Sequence, residues 1–260
     1  MDNATDTLII TSTINPALGA FKVAIEDPQT RLFQLCCSLI SWVNVKGIKR
    51  LILCDNSLPD CDFQPLQQLT NRVGKQLEVL IFSGDRQQVE NRGKGFGEGE
   101  IIRYVFENSK LIQQCGSFYK ITGRVFVSNF DAIHEAHLKS TKVFDYPVPG
   151  YGRYAKRIIA HLFTNLRHCR GTVHTIFYKC DSTFFKERLL NRNELVNDSE
   201  RFYLEQSYFL PLIKTGFSTF KIKPVLVGFS GSTGELYQDT DYPETTQQRA
   251  AVILAAMGKK

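Results

Sequence analysis

The stretch 8–82 opens on LIITST (8–13), passes through RLILC (50–54) and closes on LEVLIF (77–82). Each piece is short, apolar and rich in branched side chains, as a buried strand requires. Between the first two, Asp27-Pro28 offers an N-cap followed by proline at the first helical position. Leu32, Leu35, Cys36, Leu39, Ile40 and Val43 then recur at helical spacing up to Gly47. Residues 64–75 supply a second helix before the third strand. A β-α-β-α-β order calls for parallel pairing with right-handed crossovers, hence an α/β sheet.

Working outward, a polar, glycine-rich stretch at 84–97 reads as a loop leading into a helix whose buried face is Ile101, Ile102, Val105, Phe106 and Ile112. Residues 117–127 (SFYKITGRVFV) read as a strand, a tight turn at Gly123 and its continuation. A basic helix is expected at 153–167, a strand at 173–178, a helix at 199–214, a strand at 221–227 and a last helix near 245–257. No repeat, low-complexity block or linker interrupts the chain. One domain is therefore expected, with a ligand-binding half at about 7–130, a second half at about 131–240 and the C-terminal helix.

The 260 residues are 43% hydrophobic and 22% charged, which excludes a disordered, collagen-like or coiled-coil chain. The net charge of +6 favours a phosphate-bearing partner without demanding nucleic acid. Apolar runs fall short of the ~20 residues of a membrane span. The start, MDNATD, carries acid where a signal peptide carries Lys or Arg, so no export is expected. Seven cysteines, two of them adjacent at 36 and 37, make no disulfide framework, and a reducing cytoplasm follows. Cys54 and Cys61 lack Cys-x-x-Cys partners, which argues against zinc.

Ligands of open parallel sheets sit beyond the carboxyl ends of the strands. That rule gathers Thr11-Ser12-Thr13, Asp55-Asn56-Ser57 and Thr122-Gly123-Arg124 on one rim. Hydroxyls and a carboxylate suit a base and ribose, and an arginine fork suits a diphosphate. Turn-forming residues explain any one triplet alone; three together point to a ligand. The segment 93–99 (GKGFGEG) is neither a Walker loop nor a dinucleotide fingerprint. It remains either a plain surface loop or a phosphate cradle at a helix start, with Lys94 beside backbone amides. In 199–214 (SERFYLEQSYFLPLIK), Glu205 lies three residues after Phe202 and four before Phe209, at the edge of an aromatic stripe. Desolvation there would make it a better base, although a solvated glutamate fits the spacing too. The five histidines and Gly228-Phe-Ser-Gly-Ser match neither a zincin nor a hydrolase elbow.

LIITSTINP, LILCDNS, GKGFGEGEIIRYVFENS and above all FYKITGR resemble small bacterial nucleotide-sugar glycosyltransferases of capsule and lipopolysaccharide clusters, in islands from about residue 8 to 234. The resemblance implies a GT-A-like fold and polysaccharide biosynthesis. It also implies a nucleotide-sugar donor bound by Thr11, Ser12, Thr13, Asp55, Asn56, Lys94, Gly95 and Glu98. The chain departs from the family at the end of the central strand, where Thr122-Gly123-Arg124 replaces the Asp-x-Asp metal motif. No cofactor is therefore expected, and Lys120 and Arg124 would neutralise the departing diphosphate unless Asp181 holds a metal. Glu205 matches the acceptor-activating base of inverting enzymes, with Asp181 as second candidate. Two other classes compete: a nucleotidyltransferase acting on sugar phosphates, which needs acidic metal ligands, and a non-catalytic nucleic-acid-binding protein, for which no module is seen. Residues 151–170 combine Arg153, Lys156, Arg157, Arg167 and Arg170 with an apolar set. They read as an ordinary core-packed helix or as a basic amphipathic one at an anionic leaflet holding a lipid-linked glycan acceptor. The expected protein is cytoplasmic, with at most peripheral contact at the inner face of the membrane, and binds no nucleic acid.

Overall fold

Alternation along each strand sends successive side chains to opposite faces of a sheet. Here both faces are apolar, so helices must cover both. In the computed structural model, which describes residues 6–16, 24–146, 171–231 and 233–258, they do. The first five elements follow the expected order: β1 (Thr7–Ser12), α1 (Pro28–Val43), β2 (Arg50–Asp55), α2 (Gln64–Arg72) and β3 (Gln76–Ile81). Asp27 caps α1 by accepting from the Thr30 amide at 2.8 Å, with Pro28 in the first turn. Then come α3 (Arg86–Arg92), α4 (Lys94–Asn108), β4 (Ser117–Thr122), β5 (Val125–Val127), α5 (Phe130–Ala136) and β6 (Lys142–Phe144). The chain closes with β7 (Phe177–Asp181), α6 (Ser182–Arg188), α7 (Leu204–Thr215), β8 (Leu226–Gly228) and α8 (Glu244–Met257).

The main sheet has the order β3-β2-β1-β4-β7-β6. The first four strands are mutually parallel, and β7 runs antiparallel to both of its neighbours. The fold is thus the expected α/β class, a mostly parallel sheet flanked by helices. Leu8, Ile10, Leu51, Leu53, Tyr119 and Ile121 pack on one face against α1, α2 and α8. Ile9, Ile52, Cys54, Phe118 and Tyr178 pack on the other against α4, α6 and α7. The two halves drawn in the sequence share this sheet, because β6 and β7 come from the second.

Several elements differ from the sequence reading, each for a local reason. In residues 117–127 the strand and the turn at Gly123 are as expected, but the continuation does not stay in the main sheet. Gly123 turns the chain out of the main sheet, and β5 pairs with β8 in a separate two-stranded ladder. The strand expected at 173–178 starts at Phe177, because the Val173 and His174 amides are spent on Glu205 O and Asp145 O. Pro224 lacks a donor, and the strand expected from 221 forms only at β8. The helix expected from Ser199 begins at Leu204, because Asn197 and Phe202 exchange backbone bonds around Arg201 at φ 57°. The basic helix expected at 153–167 lies outside the described residues.

The largest correction concerns the glycine-rich segment, which is helix rather than loop. Gly93, at φ 103°, separates α3 from α4, and the later glycines lie inside α4. They are small because neighbours press on them. A Cβ on Gly99 would lie 2.3 Å from Asn193 Cβ, one on Gly97 2.9 Å from Val89 Cγ2, and one on Gly95 3.1 Å from Leu204 Cβ. In an exposed helix Gly→Ala gains about 1 kcal/mol. For Gly99→Ala the sign should reverse, with a loss of about 1–3 kcal/mol from overpacking. Urea denaturation of the variant against the parent chain reads this directly.

Candidate active site

The strand order changes direction between β1 and β4, and the crevice beyond their carboxyl ends is where such sheets bind ligands. A cleft of about 300 Å³ opens there. Of the residues singled out in the sequence, Thr11, Ser12, Thr13 and Asn56 line it from the first two strand ends. Lys94, Glu98, Thr122, Arg124 and Glu205 line it from α4, β4 and α7. Two close approaches shape the rim. The Gly123 amide donates to Thr11 O at 2.8 Å, and a Cβ on Gly123 would stand 2.7 Å from that oxygen, so Thr-Gly-Arg is the turn by which the chain leaves β4 close against the end of β1. Thr13 Oγ1 donates to Asn56 Oδ1 at 2.6 Å, joining the first two loops.

Four of the expected residues do not line the cleft. Asp55 is fully buried. Its carboxylate accepts from the Ile14 amide at 2.9 Å and from the Ser57 amide and hydroxyl at 2.8 and 2.5 Å. It staples the β1 loop to the β2 loop and has no open face for a ribose. Lys120 is likewise sealed beneath the floor, ion-paired with Glu98 and donating to Thr175 O at 2.7 Å and Thr122 Oγ1 at 3.2 Å. Gly95 packs against Leu204. Asp181 sits at the opposite end of the sheet, opposite Ser117, because β7 is antiparallel; it caps α6 through the Phe184 amide at 2.7 Å.

Glu205 is half-buried, and Thr175 Oγ1 donates to its Oε1 at 3.3 Å. Desolvation, reinforced by the neighbouring Glu98 charge, raises its pKa above the ordinary glutamate range. A carboxylate so placed is a stronger base than a solvated one. Arg124 is 7% exposed, hydrogen-bonded through Nη1 to Gln34 Oε1 at 3.2 Å, and its pKa is lowered by burial.

Several lining residues lay beyond the sequence reading. Arg31 was hidden within the apolar stripe of α1, next to Leu32 and one turn before Leu35. Thr175 sits in a run that looked like plain strand, and Tyr237 follows the Gly/Ser loop as an isolated aromatic. No strand-end rule points to any of them.

Among the described residues, no group of three or more His, Cys, Asp or Glu side chains could hold a metal ion. The cleft's two carboxylates named above do not fit a metal pair, since Glu98 is already paired with Lys120. Among the described residues, no helix is long and apolar enough to cross a membrane.

No protein-family model matches the chain, and no curated protein matches it. Among solved structures it is similar to the glycosyltransferase GlyE of Streptococcus pneumoniae TIGR4, at 8% identity over 84% of this chain and 45% of that one, TM-score 0.47. The bifunctional glycosyltransferase WbbM gives 9% identity over 98% of this chain and 45% of that one, TM-score 0.49. The 4-diphosphocytidyl-2C-methyl-D-erythritol synthase of Anaerococcus prevotii DSM 20548 gives 12% over 98% and 97%, TM-score 0.45. This chain spans less than half the length of GlyE and WbbM. With each of these scores below 0.5, the functional reading rests on the cleft itself.

Two measurements test the roles assigned here. Asp55→Ala removes the acceptor of the buried Ser57 amide and frees both loops, so a loss of about 2–4 kcal/mol is expected in denaturant titration. Glu205→Gln should stabilise the protein, in a pH-dependent way. Below about pH 4, near the ordinary glutamate value, the carboxyl is protonated in the folded and unfolded chain alike and contributes nothing. Above its raised folded value the ionised group bears the full desolvation cost. The Tm gain of Glu205→Gln should therefore be full well above the raised folded value and vanish as pH falls below the ordinary glutamate range.

Proposed function

We propose that this chain is a GT-A-like glycosyltransferase that moves a sugar from a nucleotide-sugar donor to a glycan or lipid-linked glycan acceptor. The observation that carries the reading is the placing of Glu205, with its raised pKa, and the buried Arg124 in one cleft at the carboxyl ends of β1, β2 and β4. The resemblance of FYKITGR and GKGFGEGEIIRYVFENS to capsule and lipopolysaccharide enzymes supports the same class.

In this mechanism the Glu205 carboxylate accepts the acceptor hydroxyl proton while that oxygen forms the new bond to the sugar's anomeric carbon. The bond from that carbon to the diphosphate breaks, and its electron pair leaves with the diphosphate, whose charge Arg124 stabilises. Attack opposite the leaving group inverts the configuration. Thr11, Ser12, Thr13 and Asn56 hold the nucleoside end, and Lys94 and Glu98 face the donor sugar. Lys120 serves from below, as the counter-charge that fixes Glu98.

The test is turnover across a panel of nucleotide sugars with glycan acceptors. Release of nucleoside diphosphate is expected, undiminished by EDTA. Glu205→Gln should lower kcat by about 10²- to 10⁴-fold, and Arg124→Ala should cost about 2–4 kcal/mol of transition-state stabilisation. Complete inactivation by EDTA, restored by Mn²⁺, would overturn the metal-free mechanism. Release of pyrophosphate from a nucleoside triphosphate and a sugar phosphate would replace glycosyl transfer with nucleotidyl transfer.

A further inference from the structure

The cleft contains a second buried guanidinium that no strand-end argument reaches. Arg31, on the first turn of α1, is 8% exposed and lines the same cleft as Arg124. Its Nε donates to Thr13 O at 2.7 Å and its Nη1 to Ile25 O at 2.9 Å. Both acceptors are neutral, as is the Gln34 Oε1 that Arg124 uses. Among the described residues neither arginine makes an ion pair, although Arg50, Arg103 and Lys120 do. The Asp55 carboxylate also acts on Arg31, but it is spent on Ile14 and Ser57. The two guanidiniums repel each other. Burial and the Arg124 charge together bring Arg31 down to about 10, far below an ordinary arginine.

Two like charges buried near each other without an ion-pair partner among the described residues are unfavourable alone and favourable once an anion joins them. Their surroundings leave room for one. Gly231 lies so close to Arg124 that a Cβ there would stand 2.8 Å from Nη2, so the absent side chain keeps that edge of the fork open. Arg31 is braced by the β1 loop whose threonines line the cleft. Two guanidiniums gathered beside α1, one carried on that helix and one reaching its Gln34 from the β4–β5 turn, suit an anion with two linked charged centres better than a single one.

We propose that Arg31 and Arg124 form a paired guanidinium site for the pyrophosphate group of the ligand, Arg31 being a donor-binding residue equal in weight to Arg124. This deepens the glycosyl-transfer reading and rests on it for the identity of the diphosphate as leaving group. It assigns the neutralising charge to Arg31 and Arg124, in place of the sealed Lys120.

Calorimetric titration of the full chain with inorganic pyrophosphate, in EDTA at low salt, tests the pair. Saturable binding is expected, with orthophosphate at least tenfold weaker. Arg31→Gln and Arg124→Gln should each lower pyrophosphate affinity at least tenfold while circular dichroism shows the fold intact. Absence of pyrophosphate binding to the parent chain, or Arg31→Gln binding within twofold of it, overturns the proposal. If Arg31→Gln does not fold, Arg31→Lys decides, since it keeps the charge and loses the fork. A drop in affinity supports the site, and unchanged affinity overturns it. Nucleotide-sugar turnover separates the two readings. Turnover by Arg31→Gln with kcat/KM equal to the parent overturns the paired site and leaves glycosyl transfer standing. Arginine-dependent pyrophosphate binding without turnover of any nucleotide sugar overturns glycosyl transfer and supports the site.

Discussion

The Asp55 carboxylate holds the end of β2 to the loop after β1, and the shape of the cleft depends on that join. A buried carboxylate is tolerable only when its lone pairs are filled, and here the Ile14 amide, the Ser57 amide and the Ser57 hydroxyl fill them. Ser57 Oγ in turn accepts from the Ile14 and Asn15 amides, both at 2.9 Å. Irregular backbone just beyond two parallel strands is thereby satisfied from inside the protein. On the other side of β1, the Gly123 amide to Thr11 O does the same for β4. Three strand ends are fixed in one rim, with the cleft-lining Ser57 and Thr13 hydroxyls spent on the join.

The electrostatics of the cleft divide along the sheet. On the α1 side stand two arginines with neutral hydrogen-bond partners. On the α4 and α7 side stand Glu98 and Glu205 together with Lys94 and the neighbouring Arg86 of α3, with Lys120 beneath. Strand alternation explains the division: Phe118, Lys120 and Thr122 share one face of β4, the face that α4 and α7 cover. The Lys120–Glu98 pair removes one negative charge from the vicinity of Glu205, yet the remaining field of Glu98 still raises it. A ligand that is anionic at one end and neutral and hydroxylated at the other fits this division, with its charged end toward α1.

Strand identity, the first two helices and the cleft's rim were legible because they depend on local periodicity and on one topological rule. What was not legible depended on packing partners. The glycines of 93–99 look like loop residues in a single sequence, and only Asn193, Val89 and Leu204, up to about a hundred residues away, reveal them as contact points within a helix. Lys120 looks available at a strand end, but its partner Glu98 belongs to another element. Asp181 is a candidate base or metal holder until the direction of β7 places it at the far end of the sheet, and direction is a property of a strand that periodicity does not carry. Arg31 is the converse case: a charge inside an apolar stripe reads as a stripe boundary until the cavity at its tip is seen.

The same residues that make the cleft reactive make the empty protein less stable. Ionised Glu205 is partly desolvated near another carboxylate, and Arg31 and Arg124 are held near each other. Each arrangement raises the free energy of the unliganded state, and each is relieved by a substrate step. In the proposed reaction an acceptor hydroxyl would give Glu205 a donor and then a proton, and an anion would satisfy both guanidiniums at once. The ligand therefore gains affinity from repulsion already present in the protein, a form of preorganisation in which the folding energy of the sheet maintains the charge placement. Such a design needs a rigid floor, since any relaxation would let the charges separate. The sealed Lys120, the three hydrogen bonds to Asp55 and the close packing around the glycines of α4 supply that rigidity.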